Sequence, residues 1–360
     1  MKTILGASLR FRNPLSGPFA SGFTASLLIV VLSGVSVAQA DTVYARPGQL
    51  VSVGTHRLNL YCRGTGSPTV VFDSGWEDWA PAWSVVQPRV AAFTRACAYD
   101  RAGAGFSEAG PMPRASMQIA DELHTALHSA GVGGPFILVG HAFGGNNMRA
   151  FADRYMSEVA GLVLVEADPS DLEPSAMRES EHLSQKNLIA RLRECRDSVA
   201  AGKPLPTLPK RSGRPPRTCA QQFFRGLPEA AWSPALNAKL LQLAQTKVEM
   251  YDAYISEMEQ FPADEEYLRQ HRQSLGSRPI RVLSSGAHGV GSLRTLTPEE
   301  LKYEHEVALA QAKWLQLSSN AQLVIANHSS EYIQFDQPEI VIEAIREVIS
   351  HRSAHRKAYE

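Results

Sequence analysis

The segment best equipped for chemistry is Phe136-Ile-Leu-Val-Gly140-His141-Ala142-Phe143-Gly144-Gly145-Asn146. An apolar run meets a glycine-rich turn. This is the setting of the G-x-S-x-G nucleophile elbow, where a strained strand-to-helix turn lifts the central side chain above a sheet. Gly140, His141, Phe143 and Gly144 match that pattern, with glycine where a side chain would collide in so sharp a turn. The nucleophile position holds Ala142, and a methyl group cannot attack a carbonyl. No second G-x-S-x-G occurs; the nearest, Gly105-Phe-Ser107-Glu-Ala109, lacks its last glycine.

The elements that would position this turn are legible around it. Leu50–Val53, Arg57–Tyr61, Thr69–Phe72 and Arg95–Tyr99 read as strands, each bounded by Gly, Pro or Ser. Ser116–Ser129 has apolar residues at helical spacing. Strand Phe136–Val139, helix Asn146–Tyr155 and strands Gly161–Val165, Ile280–Leu283 and Gln322–Ala326 follow, and helix Glu339–Ser350 closes the series. Such alternation predicts an α/β fold, a mostly parallel, doubly wound sheet covered on both faces. Residues 169–277 break the rhythm: they are helical and charged, and read as a cap inserted between core segments 41–168 and 278–360. Within them, the basic, Pro-rich run Lys203–Arg217 has no interleaved aromatics and reads as a solvated loop.

With 36 Lys+Arg against 36 Asp+Glu in 360 residues, no net positive field exists to displace counterions from nucleic acid. Residues 1–40 carry Lys2, Arg10 and Arg12 and no acid, then an apolar run near Ser26–Val37, and end Ala38-Gln39-Ala40. They read as a secretory signal cleaved before Asp41, which predicts a secreted or periplasmic protein with no stable membrane insertion after cleavage. An uncleaved anchor is the alternative, because the segment before the apolar run is long. Cleavage would leave 33 basic against 36 acidic residues. Four cysteines fit no zinc spacing. Export permits disulfides: Cys195 and Cys219, flanking the Pro-rich loop, are the favoured pair, while Cys62 and Cys97 either pair or stay as buried thiols.

Three further motifs join the elbow: Val71-Phe-Asp-Ser74-Gly75-Trp76, Tyr99-Asp100-Arg101-Ala102-Gly103-Ala104-Gly105-Phe106-Ser107 and Tyr332-Ile-Gln-Phe-Asp336-Gln337-Pro338-Glu339. Together they resemble the α/β-hydrolase superfamily in its exported, esterase- and lipase-like branch. The likeness is densest from His56 to Leu172, returns near the C-terminus and leaves the cap unassigned. It implies serine-dependent hydrolysis of a small ester, lactone or amide, with no cofactor and no metal. The backbone N–H groups of Phe143 and Trp76 would then form an oxyanion hole, while the Trp76 side chain lines the pocket or joins the core. Asp100 and Arg101 would brace the loop beside the elbow.

Two further triad positions depart from the family. Where such enzymes place histidine after the last strand, this chain has Ser329-Ser330-Glu331-Tyr332-Ile333, which puts Glu331 in the histidine position. His328, three residues earlier, is the alternative base. The acid position after strand Gly161–Val165 is filled by Glu166, with Asp168 as the alternative. The other common acid location, Ser284-Ser-Gly-Ala-His288-Gly, holds no carboxylate.

Three readings stand at this point. One is a hydrolase disabled by loss of its nucleophile and base. Another is a ligand-binding protein that keeps the pocket and the oxyanion donors. In the third, Glu166 and Glu331 face each other, raise one pKa and act as a base on water, or bind a metal together with His141 or His328.

Overall fold

The computed structural model describes residues 41–168, 175–208, 217–222, 232–286 and 297–357. The predicted signal, most of the Pro-rich loop (209–216) and His288 lie outside them.

Eight strands form one sheet: β1 (Gln49–Ser52), β2 (Arg57–Arg63), β3 (Thr69–Asp73), β4 (Ala96–Asp100), β5 (Phe136–His141), β6 (Val159–Val165), β9 (Ile280–Ser285) and β10 (Ala321–Ala326). Their order is β1-β2-β4-β3-β5-β6-β9-β10. β1 and β2 pair antiparallel, as do β2 and β4, and every pairing from β4 onward is parallel. The helices are α1 (Ser116–Ser129), α2 (Phe143–Arg154), α3 (Ser175–Ala200), α4 (Pro234–Thr246), α5 (Val248–Gln270), α6 (Pro298–Ala312) and α7 (Pro338–Lys357), with single turns at Gln87–Val90, Cys219–Gln222 and Ile333–Asp336. The ends of the Pro-rich loop pair as a short ladder, β7 (Thr207–Leu208) with β8 (Arg217–Thr218).

The period of two in the central strands explains why both faces are covered. Val70, Phe72, Ile137, Val139, Val163 and Val165 enter one apolar cluster, while Val71, Phe136, Leu138, Leu162 and Leu164 enter the other. Each is at most 1% exposed. Burial at about 1.5–3 kcal/mol per large side chain pins the register, since a one-residue slip would exchange the two sets. α3 and α5, which lie between β6 and β9 in the chain, pack against each other. Two disulfides form. Cys62–Cys97 joins directly opposed residues of β2 and β4, and Cys195–Cys219 ties α3 to the segment after β8. No described helix is long and apolar enough to cross a membrane.

Candidate functional site

β5 ends at His141 and α2 begins at Phe143, so the chain reverses within Ala142, at φ +47° and ψ −122°. An L-residue rarely adopts that conformation. Close packing around the turn leaves no alternative path. A Cβ on Gly140 would fall 2.5 Å from the Gly144 carbonyl oxygen, and one on Gly144 would fall 2.6 Å from the carbonyl oxygens of Asp73 and Ser74. The Ala142 N–H donates to Val165 O at 3.1 Å, and its carbonyl accepts from Gly145 at 2.9 Å. The methyl group of Ala142 therefore stands at the apex of an elbow.

That apex faces a pocket of about 350 Å³ at the C-terminal ends of the parallel strands. Gly75, Trp76, Glu77 and Asp78 line it from the loop after β3, Glu331 and Tyr332 from the loop after β10, and Asp168 from the end of β6. α3 adds Gln185 and Leu188, and α5 adds Glu257, Met258 and Phe261. The Phe143 N–H opens α2, where the first amides have no intrahelical partner and the helix dipole favours negative charge. The Trp76 indole donates to Tyr254 O on α5 at 2.8 Å, so its side chain both lines the pocket and anchors α5.

His141 is buried, and its Nε2 lies 3.0 Å from the Glu331 carbonyl oxygen. Burial pushes its pKa down to about 4, opposed by that hydrogen bond. Asp78 Oδ2 lies 3.9 Å from His141 Nδ1 and accepts from the Tyr332 hydroxyl at 3.2 Å. Burial raises Asp78 to about 7; Tyr332 and Arg101 pull it back down and Glu331 pushes it further up.

The sequence-predicted residues separate into two groups. His141, Ala142, Phe143, Trp76, Asp168 and Glu331 meet at the pocket. Glu166 and His328 are not among its lining. Glu166 is buried at φ +45° at the end of β6, and its Oε1 accepts from the Ser285 N–H at the end of β9. Its carboxyl thus points to the end of β9, the strand between β6 and β10. His328 is exposed, with its N–H donating to Gln337 Oε1 at 3.0 Å. Among the described residues, no group of ligand atoms close enough to hold an ion includes Glu166, Glu331, His141 or His328. Asp78, Glu257 and Tyr332 were not predicted. The signal for Asp78 was available in the acidic pair Glu77-Asp78 directly after Trp76, two carboxylates in an otherwise apolar loop.

Arg101 braces the site from beneath. It donates to Asp73 Oδ1 at 2.9 Å, to the carbonyls of Ser74 and Gly75 at 2.8 and 2.9 Å, and to Glu257 Oε1 at 2.7 Å. Asp100 accepts from Asn59 Nδ2 and from the Phe106 and Ala80 amides, fixing the two loops on either side. The lining holds the carboxyl groups of Glu77, Asp78, Asp168, Glu257 and Glu331, of which Glu257 is paired with Arg101.

Residues 62–344 match the Alpha/beta hydrolase family. An uncharacterized protein of Schizosaccharomyces pombe is 32% identical over 157 residues, which is 35% of this chain and 29% of that protein. The chain spans less than two fifths of the length of the first curated relatives it matches. The epoxide hydrolase CorEH aligns over 84% of this chain and 98% of its own, at 16% identity and a TM-score of 0.59. An esterase from Thermogutta terrifontis aligns over 85% and 99%, at 20% identity and a TM-score of 0.52. Both structures share the fold.

Proposed function

The chain belongs to the Alpha/beta hydrolase family, and on that premise we propose that it binds a small ester, lactone or amide without cleaving it by serine chemistry. One observation carries this reading: the turn keeps the elbow conformation at φ +47°, yet the side chain at its apex is the methyl group of Ala142. Phe143 and Trp76 supply backbone N–H groups to a carbonyl oxygen, while α3 and α5, within the proposed cap 169–277, close the pocket from above. The A-x-A segment ending at Ala40 and the two disulfides support a signal peptide and a secreted or periplasmic location.

Restoring the missing groups tests the reading. A serine in place of Ala142 would carry the nucleophile, and a histidine in place of Glu331 would be its base. The full chain is compared with the double variant Ala142→Ser, Glu331→His on a short p-nitrophenyl ester. Turnover by the variant alone is the expected result. Turnover by both proteins would overturn the reading. In that case Asp78, buried in the pocket with its carboxyl close to half ionised near neutrality, becomes the base acting on water, and Asp78→Asn should abolish the activity.

A further inference from the structure

We propose that His124, His128 and Glu158 form a binding site for a divalent transition-metal ion of the zinc type, on the opposite side of the sheet's strand ends from the pocket. His124 and His128 are one helical turn apart on α1, so both rings stand on the same face. Glu158 sits in the turn Met156–Glu158 immediately before β6 and brings its carboxylate between them. Its Oε1 lies 2.8 Å from His124 Nε2, and its Oε2 lies 2.8 Å from His128 Nε2. All three ligand atoms lie within 4.8 Å of one another.

The ring positions are fixed before any ion arrives. The His124 ring stacks on Tyr155 with centroids 3.7 Å apart and planes 3° apart, and the His128 ring meets Phe136 edge-on. The side chains are 22%, 46% and 27% exposed for His124, His128 and Glu158, which leaves an entry path and room for water. A tetrahedral ion about 2.1 Å from each ligand atom spaces them about 3.4 Å apart, between the 2.8 Å of the carboxylate contacts and the 4.8 Å within which all three atoms lie, so side-chain adjustment alone can close the site. Two imidazoles and one carboxylate suit zinc, copper or nickel and not calcium or magnesium, which prefer all-oxygen shells. Three protein ligands leave the fourth position to water.

None of the three residues lines the pocket, and they stand at the entrance to β5 and β6 while the elbow stands at their exit. The ion would therefore clamp α1 to the start of β6 and act on stability.

Isothermal titration of the untagged, metal-free full chain with ZnCl2 tests the site. One zinc per chain at micromolar or tighter affinity is expected, together with a zinc-dependent rise in Tm. His124→Ala, His128→Ala and Glu158→Gln should each weaken binding by more than about 100-fold, beyond the loss typical of an outer-shell partner. Asp121→Asn, which alters a neighbouring carboxylate bonded to Tyr155 and Arg154, should leave binding intact. Far-UV circular dichroism and Tm without zinc confirm that each variant folds. Absence of zinc binding by the native chain overturns the site. So does binding that survives in folded His124→Ala and His128→Ala, or that fails equally in Asp121→Asn.

Discussion

His141 Nε2 lies 3.0 Å from the Glu331 carbonyl oxygen, so the residue before the elbow's apex grips the backbone of the loop after β10. A carbonyl only accepts, so Nε2 carries the proton. Nδ1 is then bare and faces Asp78 Oδ2 across 3.9 Å. The elbow and the loop after β10 are thus joined by a contact that does not depend on the side chain at position 331.

This pair makes stability depend on pH in two opposing ways. His141 titrates near 4 when folded and near 6.5 when unfolded. Between those values the unfolded chain binds more protons, so stability rises with pH and is lost as pH falls toward 4. Asp78 titrates near 7 when folded and near 3.9 when unfolded. Its contribution is full below about pH 4 and is lost as pH rises to about 7. The two slopes nearly cancel between about pH 4.5 and about pH 6.5. Asp78→Asn removes the falling one. Relative to the native chain, its urea-unfolding free energy should climb across that window by about 3 kcal/mol. Parallel curves for the two proteins would mean that Asp78 titrates normally.

The elbow's strain is also measurable. Ala142→Gly should relieve the positive φ and stabilise the chain by about 1 kcal/mol, whereas Ala142→Val should destabilise it. Gly144→Ala forces a methyl to 2.6 Å from two backbone oxygens and should cost about 1–3 kcal/mol. Thermal denaturation with a common baseline ranks the three. A Gly144→Ala variant as stable as the native chain would show that the loop after β3 yields.

The central strands were legible because their apolar runs end in Gly, Pro or Ser, and the elbow was legible because its glycines are dictated by backbone clearance. Strand boundaries shifted by a residue or two, as at β5, which extends through His141 to the apex. Helix α6 went unread, since its charged residues carry no clear apolar period. The site was legible only where backbone geometry imposes residue type. Asp78 and Tyr332 become neighbours across a separation of 254 residues, and Glu257 meets Arg101 across 156, so only the tertiary fold brings them together. One of the three readings put Glu166 and Glu331 face to face. The carboxyl of Glu166 accepts from the Ser285 amide at the end of β9, a pairing across 119 residues that only the assembled sheet creates.

Both disulfides close loops in the unfolded chain, of 35 residues for Cys62–Cys97 and 24 for Cys195–Cys219. Each should stabilise by about 3.5 kcal/mol through lost chain entropy, the longer loop slightly more. Cys195→Ser, Cys219→Ser should lower the Tm with the sheet intact, because that bridge ties α3 to the segment after β8. Cys62→Ser, Cys97→Ser should act on the sheet itself. Thiol counting under denaturing, non-reducing conditions should find no free cysteine among the four; any titratable thiol would contradict the pairing.

Arg101 and Glu257 bind α5 to the loop that presents Trp76, and both side chains are at most 1% exposed. Asp73, also buried, shares the guanidinium. Burial raises the pKa of Glu257 and of Asp73, and Arg101 is the main influence pulling each back down. Removing Arg101 leaves two carboxylates without their cation, so Arg101→Met should cost about 3–5 kcal/mol. Glu257→Met leaves Arg101 still paired with Asp73 and should cost less. In a double-mutant cycle, Glu257→Met should cost much less in the Arg101→Met background than in the native one, because the charge it removes is then already unpaired. Hydrogen exchange adds a readout that stability alone would not give. In Glu257→Met, which leaves Asp73 of β3 still paired with Arg101, the amides of α5 should lose more protection than those of β5 and β6, whose loss is bounded by the fall in global stability. Additive costs, or uniform loss of protection through α5 and the sheet alike, would show that the ion pair supports the core as a whole and does not hold α5 over the pocket.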